Sequence, residues 1–141
     1  NTVQRYLQRV SGPLLDRIDM HIEVSPVKYT ELNQSTDAES SQQIRLRILA
    51  ARKLQLERYA KQSGTYANAH MNRREVEQFC QLTAEAQSIL QSAMKKLGLS
   101  ARAYERILKV ARTIADLDAS VNIATCHLSE AIQYRNLDRS N

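Results

Sequence analysis

Apolar and polar positions alternate most clearly in the stretch after Ser100. At about 100° per residue, Ala103, Tyr104, Ile107, Ala111, Ile114 and Ala115 fall on one side of a helix. Arg102, Arg106 and Lys109 fall together on the other. Three cations within two turns repel one another, so the stripe either stays in water or turns toward an anion. A second, longer helix is predicted from Ser41 to about Gln62. Ser40 with Gln43 makes a capping box at its start and Ser63-Gly64 stops it. Its apolar residues form two stripes, Ile44, Ile48 and Ala51 on one and Leu46, Leu49 and Leu56 on another, which suits a helix packed between two bodies. Asn72 with Glu75 caps a short helix ending near Cys80. Thr83 caps a helix from Ala84 to about Leu97, ended by Gly98, Ser100 caps the amphipathic helix through about Leu117, and Thr125 caps a last one through about Tyr134.

The first 26 residues follow another pattern. Tyr6, Leu7 and Val10 sit at helical spacing between Val3 and Val10, and Ser11-Gly12-Pro13 breaks that helix. Ile18, Met20, Ile22 and Val24 then alternate with Asp19, His21 and Glu23 and predict a strand. A lone strand needs neighbours, so this segment is expected to be poorly ordered or displaced and to contribute little to stability. From Ser25 to Ser41 the chain is polar and reads as a linker. The division that follows is a helix-strand remnant of one domain over 1–30, a linker over 31–40 and a helical domain over 41–141.

Composition supports a mainly α fold. Of 141 residues 43% are hydrophobic, with no Trp, one Phe, three Gly and two Pro, so the core is aliphatic and suits packed helices. Charge is uneven. Residues 1–40 hold four Lys/Arg against six Asp/Glu, while 41–141 hold sixteen against nine, a formal +7. That surplus favours an anionic partner such as nucleic acid or nucleotide phosphate, and equally fits a solvated basic surface. No apolar run reaches the roughly 20 residues that span a bilayer, and no secretory leader opens the chain, so no membrane is expected and the cytoplasm is the default. Cys80 and Cys126 are too few and too scattered for a disulfide framework or a zinc site, no metal is expected, and Cys126-His127 has no second pair at ligand spacing. Asp116 and Asp118 read as charge balance at a helix end. None of Gly12, Gly64 and Gly98 is followed by Lys, so there is no G-x-x-x-x-G-K-[ST] phosphate loop, and this chain alone is expected to hold no ATP.

Three runs carry a resemblance: Ser11-Gly12-Pro13-Leu14-Leu15-Asp16-Arg17-Ile18-Asp19, Leu99-Ser100-Ala101-Arg102-Ala103-Tyr104, and Lys109-Val110-Ala111-Arg112-Thr113-Ile114-Ala115-Asp116-Leu117, extended by Glu130-Ala131-Ile132-Gln133-Tyr134-Arg135. Together they resemble the magnesium-chelatase-like AAA+ ATPases of bacteria. The resemblance implies a helical AAA+ lid domain, a helical bundle, preceded by the end of the αβα ATPase core. It implies Arg17 as an arginine finger reaching the γ-phosphate held by a neighbouring subunit and Arg102 as the second sensor arginine. A planar guanidinium stabilises charge spread over phosphoryl oxygens without a proton to manage, and such a finger is typically worth about 10³ to 10⁵ in rate. The alternative for Arg17 is a plain ion pair with Asp16 or Asp19. The resemblance further implies ATP and Mg²⁺ in the intact parent, an upstream ATPase core, neighbouring subunits of a homo-oligomeric, hexameric ring, and single-stranded or branched DNA as partner in branch migration. Arg45, Arg52, Lys53, Arg106 and Lys109 are the candidate DNA-phosphate contacts. A chelatase-type motor for Mg²⁺ insertion into a porphyrin, and a helical interaction module without catalytic residues, are the rival readings.

Overall fold

The computed structural model describes residues 11–26 and 39–135 of the chain. The predicted helix over Val3 to Val10 and most of the predicted linker lie outside the described residues. The elements in chain order are α1 (Gly12–Leu15), α2 (Ser41–Tyr59), a 3₁₀ turn (Asn68–His70), α3 (Arg73–Phe79), α4 (Ala84–Leu97), α5 (Ala101–Leu117) and α6 (Thr125–Gln133). The fold is mainly α, as its patterning predicts.

Local chemistry sets most of the boundaries. Ser40 Oγ accepts the Gln43 N–H at 3.3 Å and Gln43 Oε1 accepts the Ser40 N–H at 2.9 Å, closing the predicted box. Asn72 and Glu75 do the same for α3, at 3.0 and 2.8 Å. Thr83 Oγ1 and Ser100 Oγ each accept an N–H three residues on, both at 3.2 Å. Gly98 ends α4 in the left-handed region, φ +61°. Two boundaries differ from expectation. α2 stops at Tyr59, where the Ala60 and Gln62 N–H groups bond three residues back and tighten the chain toward Gly64. The residue before α6 is Ala124, one earlier than the expected Thr125, and His127 Nδ1 accepts its N–H at 3.0 Å.

The core lies among α3, α4, α5, α6 and the end of α2. Leu90, Ala103, Ile107, Ala111, Ala115, Ile123, Leu128 and Ala131 are buried there, and Tyr59 stands edge-on to Phe79 with ring centroids 5.5 Å apart. Only the last half of α2 joins this core, through Ala51, Gln55 and Tyr59. Its first ten residues, Ser41 to Ala50, are exposed, with Leu46 and Leu49 more than half so. The two apolar stripes read from the sequence therefore find no second body among the described residues.

The predicted strand is not formed. Among the described residues the only β pairing is a single bridge between Leu82 and Ile123, and Ile18, Met20, Ile22 and Val24 are all exposed. A strand needs partners for its ladder, and among the described residues none stands beside residues 18–24. The segment nonetheless makes contacts with the helical body. Leu15 and His21 are buried, and the His21 N–H donates to the Tyr134 carbonyl at 2.7 Å, so the segment rests on the end of α6.

Candidate functional site

Arg17 sits in a tight turn after α1. Its N–H donates to the Leu14 carbonyl and that of Ile18 to the Leu15 carbonyl, both at 3.0 Å. The Arg17 side chain is exposed and makes no hydrogen bond or ion pair among the described residues. Its two sequence neighbours that could neutralise it are otherwise engaged. Asp19 is ion-paired with Arg106, and the Asp16 carboxylate faces Arg135 at 3.9 Å. Arg135 is fully buried. Its Nη1 donates to the Ile18 carbonyl and its Nη2 lies 3.5 Å from that of Leu15, so one guanidinium grips both flanks of the Arg17 turn.

Beside this turn a cleft of about 520 Å³ opens between residues 19–20, the 3₁₀ turn, α5 and α6. Met20, Val110, Ile114 and Leu117 give it apolar walls. The stripe Arg102, Arg106 and Lys109 supplies its cations, and Asp19, Glu105 and Glu130 its carboxylates. The structure thus brings the three predicted cations of α5 into one concavity. Arg106 is committed to Asp19, and Lys109 Nζ donates to the Ala69 carbonyl at 3.1 Å. Arg102 has no such partner among the described residues. It stands in the first turn of α5, where its charge adds to the positive end of the helix, an arrangement that suits an anion. Arg17 is not one of the residues lining this cleft. On the cleft rim the Tyr134 hydroxyl donates to Glu130 at 3.0 Å, and that bond to a carboxylate raises its pKa.

The remaining candidates are scattered. Arg45 and Lys53 are exposed on α2, and Arg52 is half-buried with Nη1 donating to Gln55 Oε1 at 2.8 Å. The α2 cations and the α5 cations are not lining residues of one cavity.

Behind the cleft lies a buried polar centre, of which the sequence suggests only the Arg112–Asp116 pair one turn apart, not its burial or its partners Arg58 and Asn68. The Asp116 carboxylate receives both terminal nitrogens of Arg58, Nη1 at 2.8 Å, together with Asn68 Nδ2 at 2.8 Å and Arg112 Nε at 3.2 Å. Burial pushes this carboxyl up, but the bonds from Arg58 and Asn68 and the charges of Arg58 and Arg112 outweigh it and hold the pKa below the usual carboxylate range. Arg112 Nη1 and Nη2 also donate to the carbonyls of Val121 and Ser120 at 2.8 and 2.6 Å. Tyr59 donates to Asn68 Oδ1 at 2.7 Å, and burial raises its phenol to about 12. The signal for the burial of this centre is that Arg112 and Asp116 flank the apolar positions Ala111 and Ala115 on α5. His127, beyond it, has Nε2 3.1 Å from Asp118, while Cys126 is exposed.

A family model described as "Magnesium chelatase, subunit ChlI C-terminal" matches residues 38–135, and one described as "Magnesium chelatase, subunit ChlI" matches residues 1–32. The chain belongs to the magnesium chelatase ChlI C-terminal family. Among curated relatives, the Competence protein ComM of Haemophilus influenzae is 45% identical over 138 residues, 97% of this chain and 26% of the relative. Protein YifB of Escherichia coli is 43% identical over 136 residues, 96% of this chain and 26% of its own. Protein Mb2921c of Mycobacterium bovis is 29% identical over 134 residues, covering 95% and 26%. This member of the ChlI C-terminal family therefore spans about a quarter of the length of these relatives. Among its described residues no helix is long and apolar enough to cross a membrane.

Proposed function

We propose that this chain is the C-terminal part of an ATP-driven motor of the magnesium-chelatase-like AAA+ class, acting on single-stranded or branched DNA as a hexameric ring in the cytoplasm. In this reading residues 1–30 end the ATPase core, 31–40 link, and 41–141 form the lid. Arg17 is the arginine finger offered to the nucleotide of a neighbouring subunit, and Arg102 is the sensor that meets the terminal phosphate of ATP. The observation that carries the reading is the state of Arg17. It is exposed and unpaired among the described residues while Asp16 and Asp19 are held by lid arginines. An unneutralised guanidinium on a held turn is what a phosphoryl group in transit requires.

ATP is the substrate and Mg²⁺ its companion in the intact protein, and both bind with the phosphate loop that this chain does not contain. From this chain, Arg102 fits a phosphate best, being an exposed cation in the first turn of α5 on a concave wall. The DNA role rests on the 45% identity to a competence protein and on the exposed cations Arg45 and Lys53 of α2, with Arg52, Arg106 and Lys109 as further contacts.

The test is ATP hydrolysis by the full-length protein with and without single-stranded and branched DNA, alongside Arg17→Ala and Arg102→Ala. DNA-stimulated turnover that Arg17→Ala lowers by about 10³-fold or more supports the reading. Turnover indifferent to DNA favours a motor of the chelatase type, the reading to which the family descriptions point. Normal turnover in Arg17→Ala leaves the segment as a helical interaction module.

A further inference from the structure

The contacts around Arg17 come from one side. Its turn is gripped at the Ile18 and Leu15 carbonyls by Arg135, at the His21 N–H by the Tyr134 carbonyl, and at Asp19 by Arg106. Arg106 belongs to α5, and Tyr134 and Arg135 directly follow α6. Every one of these groups is on the helical body, and none is on residues 11–26 themselves. The grip also has a chemical consequence. A guanidinium cannot lose its charge, and a free carboxylate beside it in sequence is available to pair with it. Arg106 takes Asp19, and Arg135 draws Asp16.

We infer that Arg106 and Arg135 are positioning residues for Arg17: they clasp its turn to the helical domain and occupy the two carboxylates that would otherwise neutralise it. The inference rests on the proposed finger role of Arg17. Arg102 lies one helical turn before Arg106 on α5, so the helix that carries the proposed phosphate contact at its start holds the finger's turn by its next cation.

The experiment uses the full-length protein without DNA, and reads hydrogen exchange of the Ile18 and His21 amides together with kcat and KM for ATP. In Arg135→Gln these amides exchange about tenfold faster or more. Its kcat falls about tenfold to a hundredfold with KM little changed, because a finger acts in the transition state rather than in substrate binding. Arg135→Lys, which keeps a donor, lies between. Arg135 is buried, so the exposed-side pair provides a second arm that does not depend on the folding of that variant. Arg106→Gln lowers kcat, and adding Asp19→Asn restores much of it, since the loss arises from a freed carboxylate pairing with Arg17. A folded Arg135→Gln with unchanged exchange overturns the clasp, as does faster exchange with wild-type kcat, or an Arg106→Gln loss that Asp19→Asn does not relieve. Failure of the finger reading is told apart by Arg17→Ala: wild-type kcat in that variant removes the finger and the positioning role together, whereas a large loss there with normal Arg106→Gln and Arg135→Gln removes the positioning role alone.

Discussion

Asp116 anchors the polar centre of the helical body, because its carboxylate is fully buried and answers two guanidiniums and an amide. Removing one partner of such a centre leaves buried charge uncompensated, at a cost of about 3–5 kcal/mol. Asp116→Asn is therefore expected to lower unfolding free energy by that amount in urea titrations at neutral pH, and a change below about 1 kcal/mol would contradict the account. The same group gives a pH dependence of known sign. Its pKa is depressed in the folded chain, so its contribution is complete above the unfolded value, about 3.9, and is lost as pH falls through the lower folded value. Wild-type chain should lose stability in that acid window more steeply than Asp116→Asn. The sequence hid this centre for a physical reason. Arg58 is one of six Lys/Arg in the predicted helix from Ser41 to Gln62, and its partner stands 58 residues away. Charge counting places such residues in water, and only tertiary packing turns them inward.

Helix ends were the most legible feature of the chain, because capping is local chemistry. Ser40, Asn72, Thr83 and Ser100 each accept the predicted N–H, and Gly98 takes the left-handed φ predicted for it. One end departs from the rule. After α5, Ala119 takes φ +51°, a conformation that a side chain disfavours by about 1–2 kcal/mol. The reversal there brings the carbonyls of Ser120 and Val121 back onto Arg112, so bonds to a buried guanidinium offset the strain. These two positions predict opposite effects. Beyond its own chain neighbours nothing lies within 4 Å of the place where a Cβ would stand on Gly98, so Gly98→Ala costs only the backbone term, about 1 kcal/mol. Ala119→Gly gains up to about 1 kcal/mol from the same term. Paired thermal melts check both, and a Gly98→Ala variant as stable as wild type would show that α4 does not depend on its left-handed end. The strand patterned over Ile18 to Val24 does not form among the described residues, in line with the expectation that a lone strand would be displaced. Its alternation is real, but a ladder is a property of two segments, and one segment cannot disclose whether the other is present.

At the scale of the molecule, the question is whether residues 11–26 are passenger or part. Patterning makes them passenger, since they show neither a helical face nor a partner strand. The structure makes them part: Leu15 and His21 are buried, Arg106 and Arg135 reach into them, and one wall of the cleft is theirs. What hid this from the sequence is that the contact is made largely to main-chain carbonyls, which every residue carries and no pattern marks. Removing residues 1–26 strips a buried leucine, an ion pair and the acceptors of a guanidinium that is otherwise shut away from water. Burial of one leucine and a charge-assisted hydrogen bond sum to a few kcal/mol before the entropy of holding the segment is subtracted. The net loss is then about 1–2 kcal/mol, a fall in melting midpoint on the order of 5–10 °C for a body of this size. The helical content of residues 39–135 should survive, because the caps of α2 to α6 and the main hydrophobic cluster lie within them. Circular dichroism melts of the chain with and without the first 26 residues measure both quantities. An unchanged midpoint would return the segment to the status the sequence assigned it and would leave Arg135 content with water in place of the Leu15 and Ile18 carbonyls. A loss of the helical signal itself would mean that the core described here is held together from outside, by the clasp.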